Sequence, residues 1–76
     1  MRAGPSNQCV THRVGQGSYR VYGPAAAGGR FVDVKYFDHL KGWIAAATWD
    51  RHLYSDPLPT KRAAVATAAG MLDGAA

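Results

Sequence analysis

The chain has 76 residues, of which 47% are apolar and 18% are charged, and its nine Lys and Arg against five Asp give a formal net charge of +4. A chain of this length forms one small domain, because folding buries only about 60% of the surface that the unfolded chain exposes. This length excludes the large cofactor-binding folds and favours a binding module over an enzyme with a deep pocket.

The cysteine content and the hydropathy of the chain predict a soluble, cytoplasmic protein without membrane contact. The single cysteine, Cys9, cannot form an internal disulfide, which is typical of a reducing compartment. The N-terminus is polar, and no apolar run approaches the roughly 18 residues that a membrane span needs. The positive charge favours an anionic partner, either nucleic acid or an acidic protein surface.

The first part of the chain predicts a flexible tail over residues 1–8, followed by one ββββα domain over residues 9–74. Residues 8–14 alternate weakly, and residues 19–22 are aromatic and β-branched. The glycines of Gly15–Gly17 stand between these two segments, so we expect a hairpin that turns there. The small residues 23–29 predict a mobile loop.

The strongest strand pattern lies at residues 30–36. Val32, Val34 and Tyr36 fall on one face at a period of two, and the intervening Phe31, Asp33 and Lys35 fall on the other.

A returning strand is predicted at residues 43–48 after a turn over residues 37–42. Its two inward alanines, Ala45 and Ala47, would leave room for a helix to approach closely. We expect a further short strand at residues 52–54, after a turn at Asp50 and Arg51.

The same region has a second interpretation as a helix. Five residues recur at helical spacing: Tyr36, Leu40, Trp43, Ala47 and Arg51. Alanines favour a helix, whereas Gly42 in its middle disfavours one. We therefore favour strands and keep the helix as the alternative.

The last element is predicted to be a helix from Lys61 to Leu72. Prolines keep residues 55–59 extended, and Thr60 is a good N-cap. The apolar stripe consists of Ala64, Val65, Ala68 and Leu72. We expect Gly74 to end the helix. The predicted fold class is α+β, with a small antiparallel sheet of three to four strands packed against one C-terminal helix.

Two cations, Lys61 and Arg62, lie in the first turn of this helix, whose dipole and free N–H groups already make that end positive. The arrangement is explained if an anion docks there beside Thr60. Alternatively, both side chains project into solvent, where screening makes the penalty small.

The order of strands and then a terminal helix opening Thr-Lys-Arg-Ala-Ala, with Ala68 and Ala69 beyond, resembles two families over residues 30–72. The first is the double-stranded RNA-binding domain, whose last helix begins with paired basic residues and grips phosphates across a groove. The second is the small N-terminal sheet-and-helix domain of phage integrases, which docks its sheet into DNA. Many small phage and bacterial domains share this outline, so the resemblances imply a fold more than an activity.

The sheet face opposite the helix is a further candidate surface. It would carry some of six aromatic and basic residues: Tyr19, Arg20, Tyr22, Arg30, Phe31 and Lys35. Such a mixture suits stacking on bases and pairing with phosphates, although ordinary core or edge packing is the alternative for the rings.

Metal binding and catalysis are not expected. The residues Cys9, His12, His39 and His52 are zinc-ligand types, but they lack the spacing of a zinc finger. Ser18, Ser55 and Asp56 form no recognisable catalytic arrangement with the histidines, and Gly15–Gly17 lacks the Lys and helix of a phosphate loop. We therefore predict no cofactor and no enzymatic activity.

These observations favour a docking module of the phage or mobile-element type that binds nucleic acid or a nucleoprotein. The residues expected to bind are Lys61, Arg62, Thr60, Arg20, Arg30, Lys35, Tyr19 and Tyr22. The alternative is a stoichiometric protein inhibitor, such as an anti-CRISPR or other anti-defence protein, that docks on an acidic protein surface. An exposed strand edge would also allow a homodimer.

Overall fold

The computed structural model describes residues 9–23 and 29–75, which form a four-stranded antiparallel sheet and one C-terminal helix. The elements are β1 (Val10–Gly15), β2 (Ser18–Tyr22), β3 (Phe31–Phe37), β4 (Gly42–Ala47) and α1 (Lys61–Ala75). Consecutive strands are neighbours in the order β1-β2-β3-β4. The predicted α+β fold is confirmed. The tail predicted over residues 1–8 and most of the loop predicted over residues 23–29 lie outside the described residues.

The region between residues 30 and 47 consists of strands, so the helical alternative is wrong. Val32 and Val34 of β3 are fully buried, whereas Asp33 between them is partly exposed; Lys35 and Tyr36, beyond Val34, are both exposed. Val34 pairs with Ala45 of β4, and the register continues through six residue pairs from Val32 to Phe37. Alternation at a period of two and pairing along the whole strand outweigh the helix propensity of the alanines.

Helix α1 covers one face of the sheet and forms the core with it. Its stripe of Ala64, Ala68 and Leu72 is fully buried. The sheet contributes the buried residues Val21, Val32, Val34 and Ala45, while Trp43, Trp49 and Val65 pack at the border of the cluster. Small side chains on both the helix and the sheet allow a close approach, as the alanine pattern predicts.

The two described hairpin turns use the left-handed region of backbone conformation. Gly17, at φ +66°, closes the β1–β2 turn, and the register shifts between Arg13 and Gly15 in a bulge. A 3-10 turn at Asp38–Leu40 joins β3 to β4. It ends at Lys41, at φ 53°, whose N–H donates to the Asp38 carbonyl at 3.1 Å.

The segment between β4 and α1 differs from the prediction, because residues 52–54 do not form a strand. Asp50 turns the chain, since its carboxylate accepts the His52 N–H at 2.9 Å and its carbonyl accepts the Leu53 N–H at 3.0 Å. Residues 53–58 then follow β4 through two isolated bridges, Ala46 to Tyr54 and Trp43 to Leu58. Pro57 has no N–H and cannot extend a ladder between these bridges.

This segment, residues 53–58, covers the outer edge of β4. The Ala45 N–H donates to Ser55 Oγ at 3.0 Å, and the Ser55 N–H donates to the Ala45 carbonyl at 2.8 Å. Trp43 and Leu58 exchange both of their backbone hydrogen bonds at 2.8 Å. Strand β1, by contrast, pairs only with β2 among the described residues, so its outer edge is open.

Helix α1 begins as predicted and ends later than predicted. The Thr60 hydroxyl accepts the Ala63 N–H at 3.1 Å, which confirms Thr60 as the N-cap. The helix continues through Gly74 to Ala75, so the end predicted at Gly74 is wrong. A glycine within a helix costs about 1 kcal/mol, and burial of Leu72 two residues earlier offsets that cost.

Candidate functional site

The sheet face opposite α1, here called the open face, is not covered by any described element. Residues paired across antiparallel strands lie on the same side, so the register defines this face. Its members are Val10, His12, Ser18, Arg20, Tyr22, Phe31, Asp33, Lys35, Phe37, Gly42, Ile44 and Ala46. It therefore combines aromatic, basic and apolar side chains on four adjacent strands.

Three rings form a row across one end of the open face. Tyr22 pairs with Phe31, and their ring centroids are 5.2 Å apart at an interplanar angle of 37°. The His12 ring meets Tyr22 edge-on, with centroids 5.5 Å apart. Arg20 places its Cζ 4.8 Å from the centroid of Phe31, so a guanidinium lies over this row. Flat π-surfaces and a flat cation are thus held together on the same patch of the sheet.

Arg20 also pairs with the only acidic residue of the open face. Its Nε lies 3.5 Å from Asp33 Oδ1, and this Nε atom is buried without a hydrogen bond to any described residue. The Tyr22 side chain, and to a smaller extent Asp33, raises the pKa of Arg20 above its ordinary value, so the guanidinium stays charged. Because Arg20 offsets the charge of Asp33, the exposed Lys35 gives the face a net positive charge.

A shallow depression of about 210 Å³ lies next to Lys35 on the open face. Its lining consists of Asp33, Lys35, Phe37, Ile44 and Ala46. The short side chain of Ala46 lowers the surface between its larger neighbours. The depression is smaller than the roughly 300–1,000 Å³ typical of small-molecule pockets, so it can hold only a small part of a ligand.

The start of α1 forms a second basic surface on the other side of the sheet. Tyr19 packs on the helix side, with its ring 6.0 Å from that of Trp43, and the Tyr36 ring lies 5.4 Å from Trp43. Lys61 Nζ lies 4.4 Å from the centroid of Tyr19. Lys61 and Arg62 are both exposed, and this cation–π contact gives Lys61 a structural role in the first turn.

The structure therefore divides the residues expected to bind into separate groups. Arg20, Tyr22 and Lys35 share the open face. Thr60, Lys61, Arg62 and Tyr19 lie at the start of α1, behind the sheet. Arg30 precedes β3, and its Cζ lies 5.7 Å from the ring of Trp49, which packs at the border of the core.

Sequence reasoning missed several members of the open face, among them His12, Phe37 and Ile44. The alternation that assigned Phe31 and Lys35 to one face, continued by one step, would have found Phe37. His12 could not be placed in this way, because its position depends on the register that pairs it with Arg20. That register includes a bulge that the sequence does not reveal.

The residue types considered for metal binding are dispersed. Cys9 is half-buried against the core, where burial, and to a smaller extent Asp73, raises the pKa of its thiol. The His39 ring contacts Phe37 at 6.0 Å, and His52 lies in the Asp50 turn. Within residues 9–23 and 29–75, no three His, Cys, Asp or Glu side chains are grouped so that they could hold a metal ion.

None of the helices in the described part of the chain is long and apolar enough to cross a membrane. Comparison with known proteins gave no match to a family model, a curated protein or a solved structure. The resemblances to the double-stranded RNA-binding domain and to the integrase domain therefore remain predictions.

Proposed function

We propose that the protein is a non-enzymatic docking module that binds nucleic acid, alone or within a nucleoprotein, through the open face of its sheet. The observation that carries this proposal is the combination of Arg20 and Lys35 with the rings of Tyr22 and Phe31 on one uncovered face. Cations pair with phosphates, and rings stack on bases, so this combination suits a nucleic acid.

Both the charge and the exposure of this face support the proposal. Its single carboxylate, Asp33, is already paired with Arg20. Lys35 can therefore bind a phosphate that no unpaired carboxylate on this face repels. Phe31, Phe37 and Ile44 remain half-exposed, although α1 buries apolar residues of the other face completely. Partly exposed apolar side chains with cations among them are typical of an interaction surface.

The start of α1 is a second candidate contact, through Lys61 and Arg62. It lies on the opposite side of the sheet from Arg20 and Lys35, so one short ligand cannot span the two surfaces directly. Lys61 already contacts Tyr19, which accounts for its position without a ligand. The open face is therefore the primary surface in this proposal.

Two double variants of equal net charge distinguish binding by the open face from binding by the start of α1. Arg20→Gln with Lys35→Gln removes two cations from the open face, and Lys61→Gln with Arg62→Gln removes two from the helix start. Affinity for a single strand and a duplex is measured by fluorescence anisotropy at several salt concentrations.

We expect the open-face variant to bind more weakly and to have a salt slope smaller in magnitude by about one to two. The reason is that fewer phosphate contacts form, so fewer counterions are released on binding. The helix-start variant should change neither quantity appreciably. The opposite ranking would assign binding to the helix start. The absence of binding by the wild type at low salt would refute the proposal.

A second candidate function is protein inhibition of the anti-defence type, and the open edge of β1 favours it. Val10 and Val14 on this strand are each 55% exposed. A partner protein could add a strand to such an edge, with backbone hydrogen bonds giving affinity. A second copy of this chain could use the same edge, which would produce a homodimer.

A pull-down from a host lysate, with and without nuclease, tests this candidate. Retention of one stoichiometric protein after nuclease treatment, and its loss on Val14→Lys, would support inhibition through the β1 edge. Loss of every partner after nuclease treatment would favour nucleic acid. Size-exclusion chromatography of the purified protein detects the homodimer.

A further inference from the structure

We infer that the ligand of the open face is single-stranded rather than duplex nucleic acid, and that the depression between β3 and β4 receives one of its bases. This inference rests on the function proposed above. It names the form of nucleic acid that the arrangement of Phe37, Ile44 and Asp33 is suited to bind.

The width of the sheet disfavours insertion into a duplex. Four strands span about 14 Å between the outermost pair, because neighbouring strands lie about 4.8 Å apart. The major groove of B-DNA is about 12 Å wide and accepts a helix or a two-stranded ribbon. An open face of this width would meet a duplex only at its phosphates.

The rings of the open face also suit unstacked bases. Tyr22 and Phe31 lie 5.2 Å apart at 37°, and the Arg20 guanidinium over Phe31 adds another planar group. Bases in a duplex are stacked on one another and cannot reach these surfaces, whereas bases of a single strand can stack on rings or on guanidinium planes. The row would therefore contribute to binding only with a single strand.

The depression gives a second contact further along the same strand. Phe37 is six residues beyond Phe31 on β3, and same-face residues advance by about 7 Å along a strand, which separates the two ring sites by about 20 Å. Lys35 lies between them and can pair with the intervening backbone phosphates. A strand running along β3 would thus meet a ring, a cation and a second ring in turn.

The lining of the depression matches the groups of a nucleobase. Phe37, Ile44 and Ala46 offer apolar contact to the flat faces of a base. Asp33 offers a carboxylate, which accepts hydrogen bonds at both oxygens and can accept one from a base amino group while it pairs with Arg20. The depression should therefore prefer bases that carry an amino group to uracil or thymine.

The experiment uses the full chain and three labelled probes with equal numbers of phosphates: a mixed-sequence single strand, a mixed-sequence duplex of half its length and an abasic strand. The variants are Phe37→Leu and, as a second site, Phe31→Leu; both keep an apolar side chain but remove the ring. Tyr54→Leu is the matched control, because Tyr54 is 63% exposed and lies on the segment that covers β4. Circular dichroism verifies that each variant is folded.

We expect the wild type to bind the single strand more tightly than the duplex or the abasic strand. Phe37→Leu should weaken single-strand binding by roughly 5- to 150-fold, the range for one lost base–aromatic stack, and leave abasic binding unchanged. Tyr54→Leu should have no effect on any probe.

Equal affinity for the three probes, or an unchanged single-strand affinity in both ring variants, would overturn this inference. If the ring variants had no effect but Arg20→Gln with Lys35→Gln still weakened binding, the proposed function would stand. The open face would then contact only the phosphates of the nucleic acid. If the wild type bound none of the probes at low salt, both the inference and the proposed function would fail.

Discussion

Lys61 Nζ lies 4.4 Å from the centroid of the Tyr19 ring, and this contact explains why a lysine is tolerated at the start of α1. A cation in the first turn opposes the helix dipole, which costs a few tenths of a kcal/mol. A cation–π contact at an exposed site contributes about 0.5–1 kcal/mol and is sufficient to offset that cost. An anionic ligand is therefore not needed to explain Lys61, although Arg62 has no such contact among the described residues.

The first prediction is that Lys61 and Tyr19 are energetically coupled. In a double-mutant cycle with Lys61→Met and Tyr19→Leu, the coupling free energy should be about 0.5–1 kcal/mol, because each single variant removes the same contact. Urea denaturation followed by tryptophan fluorescence measures the four free energies of unfolding. Arg62→Met in place of Lys61→Met is the control and should give a coupling near zero. A Lys61 coupling no larger than this control would contradict the cation–π assignment.

The second prediction concerns close packing between α1 and the sheet at Ala68. Ala68 is fully buried, whereas Ala66 on the same helix is exposed. Ala68→Leu should destabilise the protein by about 1–3 kcal/mol, since the added carbons have no space in the core cluster in which Ala68 is fully buried. Ala66→Leu adds the same atoms to the solvent side and should change stability by less than about 0.5 kcal/mol. Equal effects in a denaturant titration would show that α1 does not pack through Ala68.

The strands and the helix were predictable because their signals are local. The alternation of Val32, Val34 and Tyr36 identifies a strand with one buried face, and Thr60 before an alanine-rich stripe identifies the start of a helix. The false strand at residues 52–54 shows where local signals fail. His52, Leu53 and Tyr54 have suitable side chains, but the Asp50 turn and Pro57 restrict the pairing with β4 to isolated bridges.

The candidate site was only partly predictable, because it depends on which residues the register brings together. Sequence reasoning grouped Tyr19 with Arg20 and Tyr22, but neighbouring residues of a strand point to opposite faces. Tyr19 therefore lies on the helix side against Trp43, while Arg20 reaches Asp33 and Phe31 on the open face. The Lys61 contact to Tyr19 joins residues 42 positions apart in sequence, and no local pattern encodes it.

The third prediction compares two glycines with opposite surroundings. A Cβ added at Gly42 would lie 2.8 Å from the Pro57 Cβ and 3.2 Å from the Leu58 carbonyl oxygen, so Gly42→Ala should destabilise by about 1–3 kcal/mol. A Cβ added at Gly70 meets nothing within 4 Å, so Gly70→Ala should stabilise α1 by about 0.5–1 kcal/mol. Thermal unfolding of both variants shows whether each is less or more stable than the wild type. A Gly42→Ala variant as stable as the wild type would show that residues 53–58 do not lie closely against β4.

The fourth prediction concerns the thiol of Cys9, whose pKa is raised first by burial and then by the nearby Asp73. A raised pKa keeps the thiol protonated at neutral pH, so Cys9 should react with iodoacetamide more slowly at pH 8 than the same thiol in the denatured chain. The unfolded chain loses the thiol proton at a lower pH than the folded chain does. Cys9 therefore contributes to the free energy of unfolding below about pH 8.5, and this contribution disappears as the pH rises through the folded-state pKa. Cys9→Ala should remove this part of the pH dependence. Asp73→Asn should lower the pH midpoint of alkylation only modestly, because burial is the larger cause. A midpoint equal to that of the denatured chain would show that Cys9 is not held against the core.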